Sequence, residues 1–185
     1  MPRLWNETIE AHRHAVREAT LDAAAALVAE HGLLAVTMSG IAQRAGIGRA
    51  TLYKYFPDVE SIVLAWHERQ ISAHLAQLVE ARDRAAPEDR LAAVLHSYAR
   101  LSRHSHAHTG FTTVLRRGHD QARPRLARII QDLVSDGAQA GHIRADVAPA
   151  ELAAYCLHAL AGAADCTSEA AVRRLVAVTL SGLRA

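Results

Sequence analysis

The stretch Thr37–Phe56, TMSGIAQRAGIGRATLYKYF, constrains this chain more than any other. Met38, Ile41, Ala42 and Ala45 recur three or four residues apart, which puts them on one face of a helix. The hydroxyl of Thr37 is placed to cap that helix. Gly46 follows its last apolar residue, where a left-handed backbone commonly ends a helix. A second helical pattern starts at Gly48 or Arg49. Leu52 and Phe56 face inward in it, one turn apart. Arg49, Thr51, Tyr53, Lys54 and Tyr55 are left for the outside, and Pro57 stops the helix. Two short helices about a glycine turn, the second with a polar outer face, predict a helix-turn-helix.

The local charge agrees. This window carries Arg44, Arg49 and Lys54 and no Asp or Glu. A carboxylate there would repel a phosphate backbone, so the window suits DNA. Arg49, Ala50 and Thr51 fall in the first turn of the second helix, where free amides and the helix dipole favour phosphate. Arg49 and Lys54 have the reach to read guanine edges, and the hydroxyls of Tyr53 and Tyr55 to bond phosphates. With Thr37 and Arg44 these residues make up the predicted DNA-contact set. The competing reading of Tyr53 and Tyr55 is packing in the core or at a hinge.

Ala19–Leu64 resembles the N-terminal DNA-binding domain of the TetR/AcrR family of bacterial regulators. The matching residues are Leu21-Asp22-Ala23-Ala24, Ala29-Glu30-His31-Gly32, Thr37, Ile41-Ala42, Arg44-Ala45-Gly46-Ile47, Thr51-Leu52-Tyr53, Tyr55-Phe56-Pro57 and Ile62. Gly40 and Gly48 depart from the pattern: the family usually has an acidic or bulkier residue at the first and a serine at the second. The resemblance implies that the tyrosine of Thr-Leu-Tyr and its neighbours contact the DNA backbone. It also implies that a small effector binds between later helices, and that the last two helices meet their symmetry mates in a four-helix interface.

With 185 residues, half of them hydrophobic, the chain has the length and composition for a real core rather than disorder. Abundant alanine and few Gly or Pro favour an all-α protein. The net charge of +2 says nothing about nucleic acid by itself. The start MPRLWNETIE lacks the apolar core of a secretory signal, and no run approaches a membrane span. The expected location is cytoplasmic, with Cys156 and Cys166 as reduced thiols, and small buried residues rather than a redox pair.

Residues 1–8 read as an arm from which Arg3 reaches the minor groove, or as a frayed tail. A long helix follows to His31, with Val16, Ala19, Ala23, Leu27 and Val28 as its buried stripe. Asp58 caps the next helix, which runs to about Arg84. Pro87 opens another, with Leu91, Val94, Leu95, Tyr98 and Leu101 inside. Phe111–Gly118 reads as a short helix, Pro124 opens a longer one ending near Gly141, and two more span about Ala150–Ala164 and Ser168–Arg184. The total is about nine helices and no convincing strand. The expected division is a DNA-binding domain over 1–57 and an effector-binding and dimerisation domain over 58–185.

Trp66, Tyr98, Phe111, Leu115, His119, Tyr155 and His158 are bulky or half-polar groups on helices expected to bundle, and form the candidate effector pocket. For each alone, ordinary core packing is the competing reading. Leu152, Val172, Leu175, Val176, Thr179 and Leu183 form an apolar stripe expected to be partly exposed in a monomer and to meet a second copy. His104, His106 and His108 alternate at a spacing that does not gather ligands on one helix face, so no metal is assigned, and no motif asks for a cofactor. No nucleophile–base arrangement, phosphate loop or carboxylate pair stands out, which argues against an enzyme. The reading is an effector-released repressor that binds a palindromic operator as a homodimer. The alternative is a ligand-binding or metal-sensing protein of the same fold whose DNA contact is lost or secondary.

Overall fold

Helix α1 (Arg3–His31) runs through 29 residues that contain no glycine or proline. The backbone is helical from Arg3 on, where the sequence suggested an arm through Thr8. The computed structural model describes residues 3–105 and 114–185, with side chains described at 9–103 and 123–185. Arg3, His104, His106, His108, Phe111, Leu115 and His119 therefore lie outside the described side chains. The remaining helices are α2 (Met38–Ala45), α3 (Arg49–Tyr55), α4 (Val59–Arg84), α5 (Arg90–Ser105), α6 (Val114–Gln139), α7 (Pro149–Ala161) and α8 (Glu169–Ser181). The fold is all-α: there is no strand among the described residues, only an isolated antiparallel bridge between Ile143 and Arg184.

Local chemistry explains most helix ends. Gly32, at φ 77°, follows α1 and donates its N–H to Val28 O. Asp58 accepts the Ser61 N–H at 2.7 Å and starts α4. Pro87 opens a single 3-10 turn, Pro87–Asp89, that leads into α5. Ser168 caps α8 by accepting from Ala171 N.

Helix α6 departs from expectation. Gly118 and Pro124 suggested two helices, but one helix runs through both, with Pro124 in its interior. An interior proline removes one backbone hydrogen bond and costs about 3 kcal/mol. Burial of Leu126, Ile130, Leu133 and Val134 offsets it, since each fully buried aliphatic side chain contributes about 1.5–3 kcal/mol.

The chain forms two compact units that divide inside α4, between Gln70 and Ile71. In the first, Leu21 and Ala24 of α1, Ile41 of α2, Leu52 and Phe56 around α3, and Ile62 of α4 make one core. The buried Thr20 hydroxyl donates to Val16 O at 2.8 Å and is satisfied. Arg69 of α4 donates to Glu18 and to Asp22 of α1, both at 2.6 Å, which ties those helices together. In the second unit, Leu78 of α4, Val94 and Leu95 of α5, Ile130 and Val134 of α6, and Leu160 of α7 pack with Val172 and Val176 of α8. The connection after α6 turns back to the chain end, where Arg144 N–H donates to Leu183 O at 2.9 Å.

Gly137 makes that return possible. A Cβ built there would stand 2.6 Å from Ile143 Cδ1 and 2.9 Å from its Cγ1, inside contact distance. Gly137→Ala should therefore lower stability by about 1–3 kcal/mol in urea melts despite alanine's better helix propensity. Ile143→Ala in the same chain should make the glycine replacement harmless. A stabilised single mutant would disprove the close packing.

Candidate nucleic-acid interface

Helices α2 and α3 are set by local hydrogen bonds. Thr37 Oγ1 accepts the Gly40 N–H at 3.1 Å and caps α2. Gly46, at φ 68° and ψ 27°, ends α2 in the left-handed region. Ile47 N–H then reaches back to Ala42 O at 3.0 Å, and Ile47 packs against the first core. That bond with its apolar contact is the Schellman stop, which turns the chain tightly into α3. Gly48 precedes α3 in extended backbone without a side-chain cap. Phe56 is extended, as a residue before proline tends to be, and ends α3.

Burial then sorts the faces. Leu52 is fully buried and Phe56 nearly so. Arg49, Ala50, Tyr53 and Lys54 are exposed, Tyr53 by 49%. Thr51 is half-buried, and Tyr55 packs against the core. Thr37 is exposed at the start of α2.

The charges are arranged differently from the linear window. Arg44 holds Glu30 of α1 in a bidentate pair, its Nη1 donating to Oε2 at 2.9 Å and its Nη2 to Oε1. The arginine hydrogen bond holds the Glu30 carboxyl below its usual range, so the pair is ionised at neutral pH. Arg44 thus has its charge met by an acid fourteen residues earlier. Among the described residues Arg49 and Lys54 have no such partner. Sequence reasoning also missed Arg17 of α1, whose guanidinium lies 5.4 Å from the centre of the Phe56 ring and adds a cation beside α3. Neither Glu30 nor Arg17 carries a local signal: both come to the site only when α1 packs across it.

The predicted effector residues whose side chains are described fall in both compact units. Trp66 packs in the first core and Tyr98 in the second. Tyr155 is 44% exposed. His158 is also exposed on α7, with Nδ1 on Ala154 O at 2.7 Å and Nε2 2.8 Å from Arg123 Nη2. Phe111, Leu115 and His119 lie outside the described side chains. Among the described residues a hollow of about 410 Å³ opens between α4 and α5. Its polar lining is Gln77, His96, Ser97 and Arg100, and its apolar lining is Ala81, Ala93 and Leu101.

The terminal stripe is more buried than the sequence suggested. Leu152, Val172, Val176, Thr179 and Leu183 are all buried within the chain's own core, and Leu175 packs against it. The stripe is spent on the subunit itself. Among the residues that α7 and α8 leave outside are Ala154, Tyr155, Ala177 and Val178, the last 65% exposed, together with His158, Arg173 and Arg174.

Residues 21–66 match the family model described as bacterial regulatory proteins, tetR family. Residues 87–185, more than half the chain, match the SbtR-like transcriptional regulator C-terminal domain. This chain belongs to the TetR family. An uncharacterized HTH-type transcriptional regulator of Mycobacterium bovis is 34% identical to it over 91 residues, 42% of this chain and 48% of that protein. The chain thus spans about half the length of the first curated relatives it matches. The fatty acid metabolism regulator protein of Bacillus subtilis is 25% identical over 133 residues, 67% of this chain and 69% of that one. A TetR/AcrR-family regulator from Thermobifida fusca superposes with a TM-score of 0.73 at 20% identity, covering 91% and 98% of the two chains. FadR of Bacillus subtilis in complex with stearoyl-CoA superposes at 0.72 with 19% identity, covering 90% and 99%. These last two likenesses show the fold.

In this TetR-family chain no helix among the described residues is long and apolar enough to cross a membrane. No group of three or more His, Cys, Asp or Glu among them is placed to hold a metal ion. Both cysteines are free thiols. Burial pushes the Cys156 thiol up to about 11, which keeps it protonated at neutral pH. A thiolate is the reactive form, so Cys156 should resist modification. With a disulfide reagent at pH 8, one thiol per native chain should react readily and the second only on unfolding. Cys166→Ser should remove the ready one. Two equally fast thiols would contradict the burial of α7.

Proposed function

We propose that this chain is a sequence-specific DNA-binding transcriptional regulator, a repressor released from its operator by a small-molecule effector. The exposed face of α3 supports this most: Arg49, Tyr53 and Lys54 stand out from a helix whose other side is locked into the core. In this reading residues 1–57 contact DNA, and residues 58–185 bind effector and dimerise. Thr37, Arg49, Ala50, Thr51, Tyr53 and Lys54 touch the operator. Tyr55 acts through packing, and Arg44 contributes less because Glu30 already holds it. A homodimer sets two copies of α3 into successive major grooves of a palindrome. The outward face of α7 and α8 is the dimer surface, small and apolar at Ala154, Ala177 and Val178, and a two-fold contact there is self-complementary. The likeness to a fatty acid metabolism regulator, and to a FadR solved with stearoyl-CoA, supports a small organic effector. A regulator of chromosomal genes works in the cytoplasm, and nothing in this role needs catalysis.

The charge arrangement makes a specific demand. On an operator selected from random duplexes, Lys54→Ala should weaken binding and make the salt dependence shallower by about one unit. Tyr53→Ala should weaken binding with its slope nearly unchanged. Arg44→Gln should leave the slope close to that of the parent chain. If no duplex is selected, the regulator reading fails; if Arg44→Gln flattens the slope as much as Lys54→Ala, Arg44 touches DNA after all.

The dimer face is testable by contrast. Val178→Asp, on the outside, should give folded monomers on sedimentation at micromolar concentration. Val176→Asp should instead unfold the second unit, because an unpaired carboxylate buried there costs several kcal/mol. A parent chain that sediments as a monomer under the same conditions would count against the homodimer.

A further inference from the structure

We propose that Arg17 of α1 is a further operator-binding residue, and that its guanidinium, held over the Phe56 ring, takes a phosphate of the DNA backbone beside α3. The guanidinium carbon lies 5.4 Å from the centre of that ring, and Phe56 is the residue at which α3 ends. Phe56 is itself nearly buried in the first core, so the cation rests on a fixed surface. A ring face attracts a cation through its quadrupole and offers no lone pair. The N–H donors of Arg17 therefore remain for oxygen acceptors, and the guanidinium fork suits phosphate oxygens in charge-assisted hydrogen bonds.

The acids near Arg17 on α1 are committed elsewhere. Glu18 and Asp22 both accept from Arg69 of α4 at 2.6 Å, and Glu10 holds Arg13 at 3.2 Å. Among the described residues no carboxylate pairs with Arg17. The side chain is half-buried, so part of it still reaches water. Its place suits the backbone rather than the bases. Helix α3 has seven residues, a length of about 10 Å, against a major groove about 12 Å wide. Arg49, Tyr53 and Lys54 stand out along that short helix. A cation at its C-terminal end, carried by a different helix, falls at the rim of the groove, where the phosphates lie. A phosphate contact positions the protein and carries no sequence information, which separates the role of Arg17 from base reading by Arg49 or Lys54.

The role of Arg17 rests on the DNA-binding reading above for its ligand, and not on sequence selectivity. The test measures how the full chain's affinity depends on salt, for a duplex selected from a random pool and for an unselected duplex of the same length, with melting temperatures taken in parallel. Arg17→Gln should weaken binding to both duplexes by a similar factor, about tenfold near 0.1 M salt, and make each salt dependence shallower by about one unit. Arg17→Lys keeps the charge but loses the fork, so it should keep the slope and lose less affinity. Arg84→Gln, an equal charge change in the second unit, should alter neither. The proposal is overturned if Arg17→Gln leaves both slopes unchanged, even with a lower melting temperature, because a residue that only steadies α3 changes stability and not the slope. It is overturned too if Arg84→Gln flattens the slope as much. A chain that selects a duplex but is indifferent to Arg17→Gln keeps the regulator reading and loses this contact. A chain that shows the expected change on the unselected duplex but selects none keeps the contact and loses sequence-specific regulation. A chain that binds neither duplex at low salt overturns both.

Discussion

The burial of Leu52 and Phe56 is the constraint on which the candidate DNA face depends. Helix α3 has seven residues, far short of the length at which an isolated helix holds together in water. Its order comes from those two side chains and their contacts with Leu21, Ile41 and Ile62. Everything the opposite face displays is therefore displayed by the core beneath it. Gly46 supplies the other half: with φ at 68° it turns the chain where a residue bearing a Cβ would be strained. Burial and turn together fix which way Arg49, Tyr53 and Lys54 point.

Ion pairs then decide which cations are available. Arg44 lies in the same linear run as Arg49 and Lys54, yet its guanidinium is committed to Glu30. Arg69 is committed twice, to Glu18 and Asp22. Both pairs fasten α1, the first to the end of α2 and the second to α4. They are partly exposed, so their contribution to stability is modest. Their effect on where positive charge remains is larger, because a paired cation has less to offer a phosphate.

The second unit shows the same competition for apolar surface. Helix α8 carries one strong stripe, and the subunit's own core takes it. What α7 and α8 leave exposed includes small residues with Tyr155 and Val178, beside Arg173 and Arg174. Tyr155 leans over the end of α8, where a Cβ on Gly182 would come within 3.0 Å of its hydroxyl. Between α4 and α5 the packing is incomplete, and polar groups line the hollow that results.

The sequence by itself determined what is decided within a few residues. Thr37 and Asp58 cap their helices, Gly46 takes the left-handed turn, Pro57 ends α3, and the spacing of Ile41, Leu52 and Val94 marks inner faces, because these depend on backbone sterics and nearby hydrogen bonds. The family resemblance was legible for the same reason, since its residues are the turn, the caps and the buried face. Only the tertiary structure decided matters between distant residues. It set the Arg44–Glu30 pair, the place of Arg17 over Phe56, the helix running through Pro124, the inward fate of Val176 and Leu183, and the hollow at Ser97 and Arg100. Periodicity tells that a helix face is apolar. It does not tell which surface will cover that face, because burial is settled by whatever packs closest once the chain has folded.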